Sequence, residues 1–247
     1  FAKGGFGALA HGFAYCRGTG KSHILSHPQR NPMTSLLRSP LSGKGVYAIT
    51  DGPRDDLFAA VEAALAGGAR LLQYRDKTAD TDRRRSEADE ISRICARYGV
   101  PFIVNDDVAL AHETGGGVHL GREDVSIADA RDVLGPDAII GVSCYGSIER
   151  ARQLAAEGAD YLAFGAMYPS TTKPHAPVAP HDVLTQARSL GLPVVAIGGI
   201  SVDNAQAVID AGADYIAVVS AIFAAPDIQT ATRRFADLFD PRPGIIR

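Results

Sequence analysis

Two short acidic segments carry residues that could bind a metal. Asn105, Asp106 and Asp107 directly follow the apolar run Phe-Ile-Val, and Asp124 ends the next polar segment, Gly-Arg-Glu-Asp. Such a run predicts a buried parallel strand, which carries ligand-binding residues at its carboxyl end. Two carboxylates from neighbouring strands could share a hard cation, and oxygen ligands favour Mg²⁺ with several waters retained. Asp107 is better explained as the cap of a helix beginning at Val108, so we expect Asp106 and Asp124 to form the metal pair.

A second segment, QYRDK at residues 73–77, presents an amide and two cations. Gln73, Arg75 and Lys77 alternate along it. At the strand period of two these side chains share one side, and three donors on one side suit a polyanion such as a diphosphate. The alternative is a surface strand end whose cations pair with Asp76 or Asp80. A shared cation would bridge the carboxylates to the diphosphate.

Two further regions indicate loops that bind anions. Residues 165–180 form a long segment with four prolines around Ser-Thr-Thr-Lys, and Lys173 could bring a second charge over the diphosphate. Gly198-Gly199-Ile200 and Val219-Ser220-Ala221 follow the seventh and eighth predicted strands. Backbone N–H groups at that place commonly hold a monophosphate in barrels of parallel strands. The glycine pair alone could equally serve close helix packing.

Strand and helix patterns alternate along the chain and position these motifs. Apolar runs predict strands at residues 46–50, 71–75, 102–104, 118–120, 139–143, 161–164, 194–197 and 215–219, each followed by a helical pattern. Eight such units in about 200 residues predict an α/β fold, a single (β/α)8 TIM barrel. An open doubly wound sheet is the alternative, disfavoured because no GxGxxG follows the first strand. Repeated Gly-Ala-Asp-Tyr segments at 158–161 and 212–215 indicate stability and not chemistry.

Composition excludes several classes of protein. The chain has 247 residues, 46% of them hydrophobic, a net charge of −3 and no basic cluster, so we expect no nucleic-acid partner. No apolar run reaches the roughly 20 residues that span a bilayer, so we expect no membrane partner. Three widely spaced cysteines favour a reducing, cytoplasmic location without structural zinc. The expected partners are small molecules, and the oligomeric state, including a homo-oligomer, stays open.

The first 50 residues differ from the rest because they contain no Asp or Glu. Residues 1–32 are rich in Gly, Ser, His and Pro without periodicity, which predicts disorder. We therefore divide the chain into a disordered extension at 1–44, a barrel at 45–241 and a tail at 242–247. Met33 is a plausible true start. An extension from a misplaced start, a targeting peptide and a disordered tail all remain open for the extension.

Taken together, the motifs point to one family. QYRDK, FIVNDD, GVHLGRED, GVSCY, YPSTTKP, VVAIGGI and VVSAI, in this order and spacing, resemble thiamine-phosphate synthase over residues 45–238. The resemblance implies an enzyme that joins hydroxymethylpyrimidine diphosphate to thiazole phosphate and releases pyrophosphate, with Mg²⁺ as cofactor. It also implies roles for individual residues, as binders of the pyrimidine diphosphate (Gln73, Arg75, Lys77, Asn105, Ser143, Lys173), binders of the thiazole phosphate (Ser170, Thr172, Gly199, Val219, Ser220), metal ligands (Asp106, Asp124) and catalytic residues (Arg75, Lys77, Ser143, Lys173).

A few positions depart from the family pattern or invite another role. Arg122 stands where the family commonly has Gln, and Ser170 where Thr is frequent. His119 could act as an acid or base, although an inward barrel histidine is more often structural. Cys144 and Tyr145 are expected to line the wall. The alternative functions are a thiazole tautomerase-like paralogue, a sugar-phosphate isomerase or epimerase, and a non-catalytic thiamine-phosphate-binding protein.

Overall fold

The alternating strands and helices close into one ring. The computed structural model describes residues 41–169 and 177–240. Its strands are β1 (Gly45–Ile49), β2 (Ala69–Tyr74), β3 (Phe102–Asn105), β4 (Gly117–Leu120), β5 (Ile140–Tyr145), β6 (Tyr161–Phe164), β7 (Val194–Ile197) and β8 (Tyr215–Val218). Its helices are α1 (Leu57–Ala66), α2 (Thr81–Tyr98), α3 (Val108–Thr114), α4 (Ile127–Leu134), α5 (Ile148–Ala156), α6 (Asp182–Ala187), α7 (Ala205–Asp210), α8 (Ser220–Phe223) and α9 (Ile228–Ala236).

All eight strands are parallel, and each pairs with the next in sequence until β8 pairs with β1. The predicted TIM barrel is therefore confirmed, and the open doubly wound sheet is wrong. The short helix α8 lies between β8 and the last predicted helix. Because the strands are parallel, their carboxyl ends open at one mouth, where the predicted motifs meet.

Strand alternation separates two apolar layers. Odd-numbered residues such as Tyr47, Ile103, Tyr161 and Tyr215 pack together inside the barrel. Even-numbered residues such as Val104 pack outward in the layer shared with the helices. Because side chains of a strand alternate with a period of two, four polar side chains of the strands also lie on the inner side. They are Gln73, Asn105, His119 and Ser143.

The ring of Tyr161 fits into the barrel because β5 contributes a glycine opposite it. Gly141 pairs with Tyr161 across the sheet, and a Cβ at Gly141 would lie 1.8 Å from the Tyr161 ring. Any larger residue at Gly141 would displace the ring. A glycine in one strand thus makes room for the large side chain of a tyrosine in the next.

The amino-terminal end of the barrel is closed by residues just before β1. Leu41 is 4% exposed and packs among the interior side chains, and the Tyr215 hydroxyl donates to the Ser42 carbonyl at 3.3 Å. Leu41 and Ser42, which were predicted to belong to the disordered extension, therefore contact the barrel. Residues 1–40 and 241–247 lie outside the described residues.

The repeated Gly-Ala-Asp-Tyr segments hold strand starts, as predicted for a stability role. Asp160 accepts a hydrogen bond from the Ile140 N–H at 2.8 Å, and Asp214 accepts from the Val194 N–H at 3.0 Å. Asp160 also pairs with Arg131 at 2.7 Å. In both repeats the aspartate, which lies just before one strand, accepts from the first N–H of the preceding strand. These contacts lie at the end of the barrel opposite the mouth. None of the helices in the described part of the chain combines the length and apolarity that crossing a bilayer requires.

Candidate active site

Arg75 and Lys77 reach the mouth from the end of β2. Thr50, fully buried at the end of β1, fixes the turn: the Arg75 N–H donates to the Thr50 hydroxyl at 2.8 Å, and that hydroxyl donates to the Arg75 carbonyl at 3.2 Å. Within residues 41–169 and 177–240, no carboxylate forms an ion pair with Arg75. The Lys77 Nζ lies 3.4 Å from the Asp106 Oδ2. Both cations thus lie just after the carboxyl end of β2, at the mouth.

The alternative pairing of these cations with Asp76 or Asp80 is wrong. Asp76 accepts from the Arg83 guanidinium at 2.6 Å and from the Thr78 N–H at 2.8 Å, and the Asp80 side chain caps α2 through the Arg83 N–H at 3.1 Å. The Asp76 side chain is fully buried. Arg83 therefore neutralises the local acids and leaves the strand-end cations available to other anions.

Asp106 has an unusual backbone. Its φ is +63°, and the Asp107 N–H donates to the Asn105 carbonyl at 2.7 Å across it, which forms a three-residue γ-turn. Left-handed backbone at a residue other than glycine costs of order 1–3 kcal/mol and is concentrated at functional sites. The turn separates Asp106 from Asp107, which caps α3 through the Leu110 N–H at 3.0 Å, as predicted.

The carboxyl groups of Asp106 and Asp124, the two residues predicted to hold a metal, interact with each other. Burial, the negative charge of Asp124 and a hydrogen bond to Asp124 raise the pKa of Asp106, and Lys77 opposes that rise. Asp124 also accepts from the Gly121 N–H at 2.6 Å. Two carboxylates in mutual repulsion, with oxygen as their only donor, fit a hard divalent cation. The described residues contain no group of three or more His, Cys, Asp or Glu that could hold a metal.

The loops after β6 and β7 pack against each other at a second part of the mouth. Gly199 has a φ of +64°, and a Cβ there would lie 2.5 Å from the Pro169 carbonyl. The Tyr168 N–H donates to the Gly198 carbonyl at 3.0 Å, and the Asn204 amide donates to the Gly199 carbonyl at 3.0 Å. Backbone N–H groups exposed in such loops can bind a phosphate.

Val219 precedes the short helix α8, which begins at Ser220 and follows β8, the strand that pairs with β7. The first N–H groups of a helix have no acceptor within it. Ser170, Thr172 and Lys173, the remaining predicted residues, lie outside the described residues.

The similarity of this chain to known proteins identifies its family. The family model described as thiamine monophosphate synthase matches residues 46–222. Thiamine-phosphate synthases of Thioalkalivibrio sulfidiphilus and Chromobacterium violaceum are 55% and 54% identical over 202 residues, covering 80% and 81% of this chain and 96% and 98% of theirs. The chain belongs to the thiamine-phosphate synthase family. The solved thiamine phosphate pyrophosphorylase of Pyrococcus furiosus, 36% identical, superposes with a TM-score of 0.72 over 79% of this chain and 95% of that one.

Membership of the thiamine-phosphate synthase family makes the chain a transferase enzyme of thiamine biosynthesis. The family resemblance expected from the motifs is confirmed, and the TIM barrel matches that of a solved relative. The roles of individual residues follow from neither comparison and rest on the geometry of the mouth.

Inside the barrel, five polar side chains form a continuous row of hydrogen bonds. The Gln73 amide nitrogen lies 2.6 Å from the Tyr47 hydroxyl, which lies 2.8 Å from the Tyr161 hydroxyl. The Tyr161 hydroxyl lies 2.8 Å from the His119 Nδ1, and the His119 Nε2 lies 2.9 Å from the Ser143 Oγ. Gln73, Ser143 and His119 were predicted as candidate site residues from the sequence, whereas the two tyrosines were not. Their odd positions on predicted strands were the available signal.

At the rim between β4 and β5, Tyr145 is covered by two arginines. The Arg122 guanidinium lies 4.7 Å and the Arg150 guanidinium 5.8 Å from the Tyr145 ring centroid, within range of cation–π contacts. Arg122 thus packs against Tyr145 on the wall of the mouth. Cys144, which precedes Tyr145 in β5, is fully buried, and burial raises the pKa of its thiol to about 12. A thiol with so high a pKa is a poor nucleophile.

Proposed function

We propose that this enzyme joins 4-amino-2-methyl-5-hydroxymethylpyrimidine diphosphate to 4-methyl-5-(2-phosphooxyethyl)thiazole, giving thiamine phosphate and pyrophosphate. The observation that carries the proposal is the charge cluster at the mouth: Asp106 and Asp124 interact beside Lys77, and Arg75 stands without a carboxylate partner in the described chain. Carboxylates that can hold a metal cation lie next to cationic side chains that can bind a polyanion. This combination suits a diphosphate better than a monophosphate alone.

The first step breaks the bond between the pyrimidine methylene carbon and the diphosphate oxygen. The electron pair leaves with the diphosphate, and the aminopyrimidine stabilises the cation that remains. Arg75, Lys77 and Lys173 would stabilise the charge that develops on the departing pyrophosphate. Asp106 and Asp124 would hold Mg²⁺, which supplies further charge neutralisation when bound. No covalent enzyme intermediate is required.

The second step forms the new carbon–nitrogen bond. The thiazole nitrogen donates its lone pair to the pyrimidine cation, and the ring becomes a thiazolium. Gly199, Val219, Ser220, Ser170 and Thr172 would hold the thiazole phosphate, so that the nitrogen lies next to the cation. The long loop that contains Lys173 would exclude water, which otherwise captures the cation.

We further propose that catalysis resides in residues 45–241 and that the enzyme works in the cytoplasm. Cys95 and Cys144 are free and buried, which supports a reducing compartment. The segment before Leu41 would be dispensable for catalysis.

One experiment tests the proposed reaction. Both substrates are mixed with the full chain in the presence and absence of Mg²⁺, and thiamine phosphate and pyrophosphate are measured together. We expect equal amounts of both products, dependent on the metal. Isomerised thiazole phosphate without pyrophosphate would indicate a tautomerase, and binding of thiamine phosphate without turnover would indicate a non-catalytic protein. Either result would contradict the proposal.

A further inference from the structure

The row of five hydrogen-bonded side chains crosses the barrel from β2 through β1, β6 and β4 to β5. Tyr47 and Tyr161 are 1% and 0% exposed, so their hydroxyl groups depend on protein partners. Their rings meet edge to face with centroids 5.9 Å apart, and the His119 ring stacks on Tyr161 at 5.6 Å. Packing therefore fixes the rings, and the hydrogen bonds decide only where each proton lies.

The direction of the hydrogen bonds follows from the first group. An amide nitrogen donates and cannot accept, so the Tyr47 oxygen accepts from Gln73. The Tyr47 proton then has the Tyr161 oxygen as its acceptor. The Tyr161 proton in turn has the His119 Nδ1 as its acceptor.

An imidazole that accepts at Nδ1 carries its proton on Nε2. The His119 Nε2–H then donates to the Ser143 oxygen, 2.9 Å away. Because Ser143 accepts from His119, its own proton is left for an acceptor elsewhere. Ser143 is part-exposed in β5 and faces the same interior as the other members of the row.

We propose that this row runs in one direction, from Gln73 to Ser143, and sets Ser143 as a hydrogen-bond donor toward the departing diphosphate. Tyr47, Tyr161 and His119 are positioning residues that act through Ser143. The inference rests on the proposed function for the identity of the acceptor. A leaving diphosphate gains negative charge, so a donor aimed at it stabilises the transition state, whereas an acceptor would oppose it.

The reverse direction makes a different and measurable molecule. It would require the Gln73 amide to present its oxygen to Tyr47, and Ser143 to donate to His119 Nε2. The His119 proton would then lie on Nδ1. Apart from the exchanged amide oxygen and nitrogen of Gln73, the two arrangements share their heavy-atom positions, and they differ in the imidazole tautomer.

NMR can identify the tautomer of the His119 imidazole directly. The full chain, with its seven histidines labelled with ¹⁵N, is studied by long-range ¹H–¹⁵N NMR, and the His119 signals are assigned by their loss in His119→Gln. We expect a protonated Nε2 and an unprotonated Nδ1. We expect Tyr161→Phe to weaken this preference and Tyr47→Phe to leave it, because Tyr161 still has His119 as its acceptor. A wild-type Nδ1–H tautomer would overturn the proposal, whether or not the variants fold.

Steady-state kinetics supply the second readout. Tyr161→Phe should lower kcat by about 2- to 10-fold, as expected for one misdirected neutral hydrogen bond, with KM for the thiazole phosphate unchanged. The matched control is Tyr215→Phe, which removes a hydroxyl from the same interior but outside the row. Equal kcat losses in both variants would overturn the positioning role. A wild-type chain that forms no thiamine phosphate would sink the proposed function instead, and the NMR tautomer would still decide the direction.

Discussion

Asp106 and Asp124 bring two carboxyl groups together at the barrel mouth, and the charge of Asp124 helps to raise the pKa of Asp106. Asp106 sits in a strained γ-turn, and the Lys77 Nζ lies 3.4 Å from its carboxylate. Repulsion and backbone strain both disfavour this arrangement in the isolated protein. A bound cation would relieve the repulsion, which is why the pair suits a metal better than a structural role.

Removing either carboxylate should abolish metal-dependent turnover. We expect Asp106→Asn and Asp124→Asn each to lower Mg²⁺-dependent pyrophosphate release by about 100-fold or more, because one of the two protein ligands is lost. The measurement is pyrophosphate release across a Mg²⁺ titration. Asp107→Asn is the matched control, since Asn caps a helix as well as Asp does and the charge removed is adjacent. Near-normal rates in Asp106→Asn or Asp124→Asn would refute the metal assignment.

Asp106 should also make stability depend on pH. Its folded pKa is raised above the unfolded value of about 3.9, so the folded state binds its proton more tightly. Its contribution to stability is therefore greatest below the unfolded pKa and falls as pH rises through the raised folded pKa. Asn carries no charge and tolerates left-handed φ.

Accordingly, Asp106→Asn should raise the metal-free free energy of unfolding at neutral pH by up to about 1 kcal/mol, a small gain because solvent screens a part-exposed group. Urea unfolding of both proteins at acidic and neutral pH measures this. A gain at acidic pH that equals or exceeds the neutral one would contradict the assigned cause.

Leu41 sets a boundary for truncation. A chain that begins at Met33 keeps Leu41 in the barrel interior and should match the full chain in activity and melting. A chain that begins at Gly45 lacks Leu41 and the Ser42 carbonyl, and should lose about 2 kcal/mol from the burial of one leucine. Thermal melts and urea unfolding compare the three chains. Equal stability of the two truncated chains would show that Leu41 does not contribute.

The sequence sufficed for the barrel and for the location of the mouth, because both depend on local periodicity and on the direction of parallel strands. It also separated Asp107 from Asp106, since a cap position follows from where the helix starts. Asp107 does cap α3. These features depend on residues that are close together along the chain, and a single sequence is sufficient to predict such local structure.

Features that join distant strands could not be predicted in this way. Tyr47 and Tyr161 lie on β1 and β6, which do not pair, and their 2.8 Å contact also depends on the space that Gly141 leaves. The ion-pair partner of Lys77 could likewise not be predicted from the sequence. Asp76 is adjacent in sequence, but Arg83 in the first turn of α2 binds it, which leaves Asp106 as the nearby acid.

Arg75 and Lys173 should act on turnover and not on thiazole-phosphate binding. We expect Arg75→Ala and Lys173→Ala to lower kcat by about 100-fold, the scale for loss of one charged group that stabilises the transition state, with the thiazole-phosphate affinity largely intact. Kinetics and isothermal titration with the thiazole phosphate separate the two effects. Arg85→Ala is the control, since Arg85 pairs with Glu113 at the surface. An equal loss of thiazole binding would mean that the two anion sites have been exchanged.

Gly199 should be required for the monophosphate site and not only for stability. Alanine at Gly199 meets both a positive φ and a Pro169 carbonyl 2.5 Å from its Cβ, so the loops after β6 and β7 must separate. Gly191 has a similar φ of +71° with no heavy atom within 4 Å of a Cβ, and Gly191→Ala therefore measures the backbone cost alone, about 1 kcal/mol. We expect Gly199→Ala to lose more stability than Gly191→Ala in urea and to raise KM for the thiazole phosphate, while KM for the pyrimidine diphosphate changes little. An unchanged thiazole-phosphate KM in a folded Gly199→Ala protein would place the monophosphate elsewhere, because this loop cannot accept a methyl group and keep its shape.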